Sequence, residues 1–200
     1  MLVSGAQAVV LGFLLAAGAV WTLNQQHPRY TRPAVLLELP AAVIHAGRSN
    51  DEAFRISQVL RRYTHNADVA DRVANAVVSE GHKRRIDPSL LVGMILVESE
   101  MNPRARSFVG ARGLMQVMPI HRGKWGCGST DLYNIESNIC HGVSVLSQTI
   151  SETPNLRIAL QRYNGCVRGR NTPECGSYWS KVLRARERTR TQLTALETIN

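Results

Sequence analysis

Apolar residues recur along this chain at spacings of three and four, as they do on one face of an amphipathic helix. Such stripes lie within 51–63, 69–77 and 135–150: Phe54, Ile56, Val59, Leu60, Tyr63; Val69, Val73, Ala76, Val77; Ile135, Ile139, Val143, Leu146, Ile150. No run alternates β-branched and polar residues in the manner of a half-buried strand. The pattern therefore predicts a mainly α-helical domain.

One predicted helix is apolar on every side. Asp87 and Pro88 are a strong helix start, because aspartate caps the first turn and proline at the first position loses no hydrogen bond. The residues from Leu90 to Val97 are apolar all the way round, which predicts burial on most faces. Pro103 pushes the residue before it out of the α region, so we expect the helix to end by Asn102.

Glu98 is the first ionisable residue at the end of this buried helix. The helix dipole and the loss of water both disfavour a charged carboxylate there, so we expect its pKa to be raised. A raised pKa suits a carboxyl group to act as a general acid near neutral pH. Glu100 lies about 200° further around a helix, so we expect it to face away from any cleft that Glu98 enters.

Three ordered blocks and a further helical segment carry a family resemblance. Residues 98–107 follow the pattern E-S-x-x-N-P-x-A-x-S, and 110–119 follow G-A-x-G-L-M-Q-V-M-P. A later block, 159–165, is similar to A-L-x-x-Y-N-x-G, and Asn138, Ile139, Gly142 and Leu146 resemble N-I-x-x-G-x-x-x-L. From about Val69 to Leu183 the chain thus resembles the soluble lytic transglycosylase (SLT) family, peptidoglycan-cleaving enzymes with a lysozyme-like fold. Cys166 departs from the pattern, because Tyr-Asn-Gly-Cys replaces the commoner Tyr-Asn-Ala-Gly.

The resemblance implies roles for individual residues. Glu98 matches the catalytic acid, which then acts as a base, and Tyr163 matches a tyrosine whose hydroxyl approaches that carboxyl. The implied substrate-binding residues, which line the pocket or pack around the sugar, are Ser107, Gln116, Met115, Met118 and Asn164. Gly110, Gly113 and Gly165 are expected to serve turns or close approaches of the backbone.

The resemblance also implies a reaction. A hydrolase normally needs a second carboxylate, and Asp131, Glu136 and Glu152 are weak candidates, with Asp131 the best of them. A single carboxyl group fits a lytic transglycosylase, in which the substrate's own C6 hydroxyl attacks the anomeric carbon of N-acetylmuramic acid (MurNAc) to give a 1,6-anhydro ring. A lysozyme-type muramidase and a weakly active, glycan-binding scaffold remain the alternatives. No cofactor and no metal are expected.

The four cysteines of the chain, Cys127, Cys140, Cys166 and Cys175, all lie in its second half. Pairing each with its neighbour is one of three possible disulfide connectivities. A zinc site is the rival interpretation, but the irregular spacing disfavours it. Disulfides indicate an oxidising compartment such as the bacterial periplasm.

The N-terminal segment bears on location. The stretch from Ala6 to Leu23 has no charge and is about 18 residues long, enough for a signal peptide or an uncleaved membrane anchor. Arg29 and Arg32 follow it and no basic residue precedes it, a distribution that favours neither interpretation. We favour an anchor that holds the domain in the periplasm.

We predict five regions: 1–23, signal or anchor; 24–50, linker; 51–67, accessory helix; 68–183, catalytic domain; 184–200, basic tail.

The net charge is +9, and arginines alternate along the tail at 184, 186, 188 and 190. Alternate positions do not share one helix face, so the sequence predicts a solvated tail attracted to anionic peptidoglycan peptides or lipid headgroups. A nucleic-acid-binding protein is disfavoured, because no motif supports it and export would separate it from that ligand. The expected partner is the peptidoglycan glycan strand, and a secretion or conjugation apparatus is a further candidate.

Overall fold

The computed structural model describes residues 41–153, 155–166 and 175–198, with side chains from residue 47 onward. Within these residues the secondary structure is helical, with two isolated bridges and no extended strand. The α-helices are α1 (Ala41–Leu60), α2 (Ala67–Arg84), α3 (Pro88–Ser99), α4 (Ile135–Glu152), α5 (Leu156–Tyr163) and α6 (Tyr178–Glu197). The mainly α prediction is confirmed for this part of the chain.

Polar side chains set the helix starts. Asp87 accepts a hydrogen bond from the Ser89 amide at 2.8 Å and precedes Pro88, so α3 begins where the sequence predicts. Asn66, Asn134 and Asn155 cap α2, α4 and α5 in the same way. Each cap satisfies an amide that the first helical turn leaves without a partner.

Helix α3 lies at the centre of the core. Its residues from Pro88 to Leu96 are buried, as the continuous apolar run predicts. It packs along α6, and at Gly93 the two backbones come so close that a Cβ atom would lie 2.7 Å from the amide nitrogen of Arg186. Around this pair, α1 packs on α2, α2 on α4, and α4 on α5. The contact with α6 fixes the end of α3, which carries Glu98.

The irregular segment between α3 and α4 is held by one buried amide. Asn138 in α4 donates from Nδ2 to the carbonyl oxygens of Arg112 at 2.8 Å and Leu132 at 2.7 Å. Its Oδ1 accepts from the backbone amide of Met115 at 2.8 Å. These hydrogen bonds hold the segment on α4. They also give its buried backbone groups the partners that such groups need.

Both disulfides join neighbouring cysteines. Cys127 in the irregular segment before α4 bonds to Cys140 in α4, and Cys166 after α5 bonds to Cys175 before α6. The structure thus selects one of the three connectivities that the sequence left open. Because all four cysteines are bonded, none remains to bind zinc, and the rival interpretation is wrong.

Two predicted boundaries differ from the structure. Residues 41–50 belong to α1 rather than to a linker, and residues 184–197 belong to α6 rather than to a solvated tail. The last helix forms because Tyr178, Val182, Ala185 and Thr189 make a buried stripe at helical spacing. In α1, Ile56, Val59 and Leu60 are buried as expected, whereas Phe54 is 64% exposed.

The predicted signal or anchor at 1–23 lies outside the described residues, as does the linker up to residue 40. Among the helices that are described, none is both long and apolar enough to cross a membrane.

Candidate active site

Glu98 lies one residue before the end of α3 and is half-buried. Burial raises the pKa of its carboxyl group from 4.5 to about 7, and a hydrogen bond from Tyr178 partly opposes this rise. Burial removes water from the carboxylate, which disfavours its charged form. The group is therefore divided between its acidic and basic forms near neutral pH.

Tyr178 is the hydrogen-bond partner of this carboxyl group. Its hydroxyl donates to Oε1 of Glu98 at 2.5 Å, and its side chain is only 3% exposed. Burial, followed by the nearby charge of Glu98, raises the pKa of Tyr178 well above its usual value, so the phenol stays a neutral donor. Tyr178 is the first residue of α6 and follows Cys175, which is bonded to Cys166, three residues after the end of α5.

Tyr163 differs from its expected position. Its hydroxyl donates to the backbone carbonyl of Met115 at 2.8 Å, so the hydrogen bond that the family resemblance assigned to it comes from Tyr178 instead. The charge of Glu98 still contributes, after burial, to raising the pKa of Tyr163, which places this ring near the carboxyl group. Tyr163 thus ties α5 to the loop that carries Met115 and Gln116.

Gln116 and Ser107, which were predicted to bind sugar, form hydrogen bonds within their own loops. Gln116 has a left-handed backbone with φ of +46° and donates from Nε2 to the carbonyl of Gly113 at 2.9 Å. Ser107 accepts from the amide of Ala111 at 3.0 Å through its Oγ. Neither side chain has a described hydrogen bond to Glu98.

The two predicted methionines differ in exposure. Met115 is fully buried and packs on Gly142, where a Cβ atom would lie 2.6 Å from its sulfur. The expectation that Met115 packs against sugar is therefore corrected. Gly142 has no side chain, and Met115 fills the space beside it in the core. Met118 is 39% exposed and remains available to a ligand.

A groove of about 1040 Å³ opens beside Glu98. Its walls come from the end of α3, from Asn164 after α5, and from one face of α6. Asn164, one of the substrate-binding residues that the family resemblance implies, is thus brought together with Glu98. The lining residues are Leu96, Val97, Glu98, Glu100, Asn164, Tyr178, Lys181, Arg184, Glu187, Arg188, Thr191 and Gln192.

Glu100 also lines this groove, so the expectation that it faces away is wrong. That expectation assumed a continuing helix, but α3 ends at Ser99 and both Glu100 and Met101 adopt left-handed backbones, with φ of +50° and +68°. Consecutive non-glycine residues in this conformation are strained. The reversal turns the chain after Glu98 back toward the groove.

The other candidate carboxylates have structural partners. Asp131 accepts from the amide of Tyr133 at 2.9 Å within a turn, and Glu136 binds Arg72 through two hydrogen bonds of 2.7 and 2.8 Å. Glu152 pairs with Arg162 at 3.4 Å. In the described part of the chain, no group of histidine, cysteine and carboxylate side chains has the arrangement of a metal site.

Tyr178 is the site residue that the sequence did not single out. A tyrosine at the start of an amphipathic helix is usually a core residue. None of the sequence motifs that carry the family resemblance extends as far as Tyr178. The signal that was available is its place after Cys175, the last cysteine, because a disulfide to Cys166 would hold it close to Tyr163 and Asn164.

Part of the chain matches a known protein family and curated proteins. Residues 75–173 match the family model described as "Transglycosylase SLT domain". A protein of Enterobacteria phage PRD1 named "Transglycosylase" is 36% identical over 103 residues, which are 50% of this chain and 37% of that relative. The "Membrane-bound lytic murein transglycosylase C" of Haemophilus influenzae is 44% identical over 70 residues, which are 30% of this chain and 20% of that relative.

The chain thus spans well under half the length of these curated relatives. The family model covers the half-buried Glu98, the loop through Gln116 and the helix that ends at Tyr163. On this evidence residues 75–173 of the chain belong to the transglycosylase SLT domain family.

Proposed function

We propose that this protein cleaves the β-1,4 bond between MurNAc and N-acetylglucosamine in peptidoglycan without water, leaving a 1,6-anhydroMurNAc end. The observation that carries the proposal is Glu98, a half-buried carboxyl group with a pKa of about 7 that opens onto a large groove. General acids work best when their pKa lies near the working pH. The match of residues 75–173 to the transglycosylase SLT domain supports this choice of substrate class.

In the first step, protonated Glu98 donates its proton to the glycosidic oxygen while the bond from that oxygen to C1 of MurNAc breaks. The C6 hydroxyl of the same sugar then attacks C1, and the Glu98 carboxylate accepts the hydroxyl proton. Glu98 is therefore protonated again at the end of the reaction, and no water is consumed. An intramolecular nucleophile has a large effective molarity, so no second carboxylate is needed.

A muramidase is the alternative that one observation favours. Glu100 lines the same groove as Glu98 and would be the second carboxylate that a hydrolase needs. The two reactions differ in whether water enters the product, so the product itself decides between them.

The test is an analysis of the products. The full chain, with its disulfides oxidised, is incubated with purified peptidoglycan, and the released muropeptides are identified by mass spectrometry with Glu98→Gln protein as the blank. Products lighter than the hydrolysed forms by the mass of one water are expected. Reducing-end muramic acid would establish a muramidase instead, and no release would leave a glycan-binding role.

The hydrogen bond from Tyr178 leads to a prediction about pH. This bond favours the carboxylate, so Tyr178→Phe should raise the pKa of Glu98 above about 7. Because the acid must be protonated, the limb of kcat/KM that falls at high pH should move upward by about one pH unit. The pH profile of kcat/KM measures this shift.

Tyr163→Phe is the matched control for this profile. The hydroxyl of Tyr163 binds the carbonyl of Met115 and not the carboxyl group, so its loss should leave the position of the limb unchanged. An unshifted limb in Tyr178→Phe would contradict the role of Tyr178.

We also propose that the protein acts in the periplasm. Two disulfides within the domain support an oxidising compartment. An anchor at residues 6–23 would hold the domain near the wall, where a secretion or conjugation apparatus would need local cleavage. Protection of the domain from protease added to spheroplasts would contradict this location, and unchanged secretion after deletion would contradict the apparatus.

A further inference from the structure

The alternating arginines of α6 are sorted onto two sides of that helix. Arg186 donates to Oδ2 of Asp87 at 2.7 and 3.0 Å, and Arg190 lines a small separate groove beside Asp87. Arg184 and Arg188 line the Glu98 groove instead. The sort follows from helix geometry, because residues two apart are turned by about 200° and residues four apart by about 40°.

Lys181 joins Arg184 and Arg188 on the groove side. Lys181 and Arg184 are three residues apart, and Arg184 and Arg188 are four apart, so all three lie on one face of α6. Tyr178, the first residue of α6, lines the same groove. From Tyr178, Arg184 and Arg188 are about 9 and 15 Å away along the helix axis. The cations therefore lie in a row that leads away from the proposed bond-breaking carboxyl group.

The two arginines of this row are open to a ligand. Both are exposed, and neither forms a salt bridge with the residues that the structure describes. Glu100 and Glu187 line the groove as well, so its walls are mixed in charge rather than uniformly basic. Such walls suit a ligand with separated carboxylates and polar groups better than a uniform polyanion.

Gln192 provides a second observation at the far end of the row. It lines the groove one turn beyond Arg188, and its Oε1 is buried without a hydrogen-bond partner in the described structure. An unpaired buried acceptor costs free energy that a donor would recover. Because this oxygen is closed to solvent, a backbone amide of a bound peptide would reach it once the Gln192 side chain turns toward the groove that the residue lines.

We propose that this face of α6, with Arg184, Arg188 and Gln192, binds the acidic stem peptide that the muramic acid of the substrate carries. This inference rests on the proposed function, because it places the glycan at Glu98. The stem peptide bears free carboxylates and peptide amides, and guanidinium groups bind carboxylates through paired hydrogen bonds. The site thereby selects peptide-bearing strands over bare glycan.

The test compares glycan strands that carry peptides with strands stripped of them by an amidase. For the wild-type chain, kcat/KM should be roughly five- to tenfold higher on peptide-bearing strands, as expected for two partly exposed charged contacts. The double variant Arg184→Gln with Arg188→Gln should lose most of this preference, measured as the ratio of kcat/KM on the two kinds of strand. The preference of the wild-type chain should also decrease as salt increases.

The matched control removes the same charge elsewhere. Arg190→Gln with Arg62→Gln changes two exposed arginines outside the groove, so the preference should stay as in the wild-type chain. An equal loss in both double variants, or an unchanged preference in the groove variant, would overturn the proposal. So would an unchanged preference combined with lost binding to phosphatidylglycerol vesicles, which would make this face a membrane contact.

A binding measurement keeps the inference separate from catalysis. Calorimetry with Glu98→Gln protein and soluble glycan oligomers should give a lower Kd when the oligomers carry peptides, and the groove variant should remove the difference. Absence of cleavage with this affinity pattern intact would refute the proposed reaction alone. Cleavage with equal affinities for both oligomers would refute the peptide site alone.

Discussion

Replacing Glu98 by glutamine is expected to reduce the release of anhydro-muropeptides by roughly a thousandfold or more, because general acid–base catalysis alone contributes a factor of about 10²–10⁴. Glutamine retains the shape of the side chain and an acceptor for Tyr178, but it cannot donate a proton to a leaving oxygen or accept one afterwards. Muropeptide release over time, measured by chromatography, gives the rate.

The same substitution should make the protein more stable at high pH. The pKa of Glu98 rises from 4.5 to about 7 on folding, so its protonated form stabilises the folded state relative to its charged form. This contribution is complete below about pH 4.5 and is lost as the pH rises through about 7. At about pH 8, Glu98→Gln should therefore raise the free energy of unfolding by about 1–3 kcal/mol, and near pH 4.5 it should change little.

Glu100→Gln is the control for both measurements. Glu100 is exposed in the same groove, so its replacement should leave the free energy of unfolding nearly the same. Under the proposed reaction it should also leave anhydro-muropeptide release largely intact. Equal loss of activity in the two variants would instead favour a hydrolase with two carboxylates.

Replacing Gly113 by alanine is expected to destabilise the loop beside the site by about 3–5 kcal/mol, a large share of the stability of a typical domain. Gly113 has φ of +72°, and a Cβ atom there would overlap the Asn138 amide and the Leu132 carbonyl oxygen. Relief of the overlap would break the buried hydrogen bonds of Asn138, each worth about 1–3 kcal/mol when a partner is left unpaired. Denaturant unfolding measures the loss.

Gly110→Ala separates the overlap from backbone strain. Gly110 has φ of +90°, but no atom lies within 4 Å of the Cβ position. Alanine there should cost only the strain of a left-handed residue, about 1–2 kcal/mol. Equal losses at the two glycines would show that the contact with Asn138 contributes nothing.

Glu98 and the proposed peptide-binding face of α6 need opposite degrees of exposure to water. Glu98 requires burial, because burial keeps a fraction of the molecules protonated at this carboxyl group near neutral pH. Arg184 and Arg188 require exposure, because their proposed ligand arrives from solvent. One helix supplies both needs, since α6 presents Tyr178 to the carboxyl group at its start and arginines to the groove further along.

The sequence by itself determined the features that depend on neighbouring residues. Asp87 and Pro88 start α3 because a cap acts within one turn, and the apolar run after them is buried because it has no polar face to present to water. The same local pattern placed Glu98 at the end of a buried helix, with the raised pKa that follows from its position.

Only the tertiary structure decided which groups meet Glu98. The hydrogen bond from Tyr178 joins residues 80 positions apart, and it exists because α6 packs along α3 and a disulfide holds the start of α6 near the end of α5. The turn of Glu100 into the groove, the burial of Met115 against Gly142 and the sorting of the arginines likewise depend on where helices end and how they pack. Periodicity along the chain fixes which face of a helix is apolar, but it does not fix which other helix covers that face.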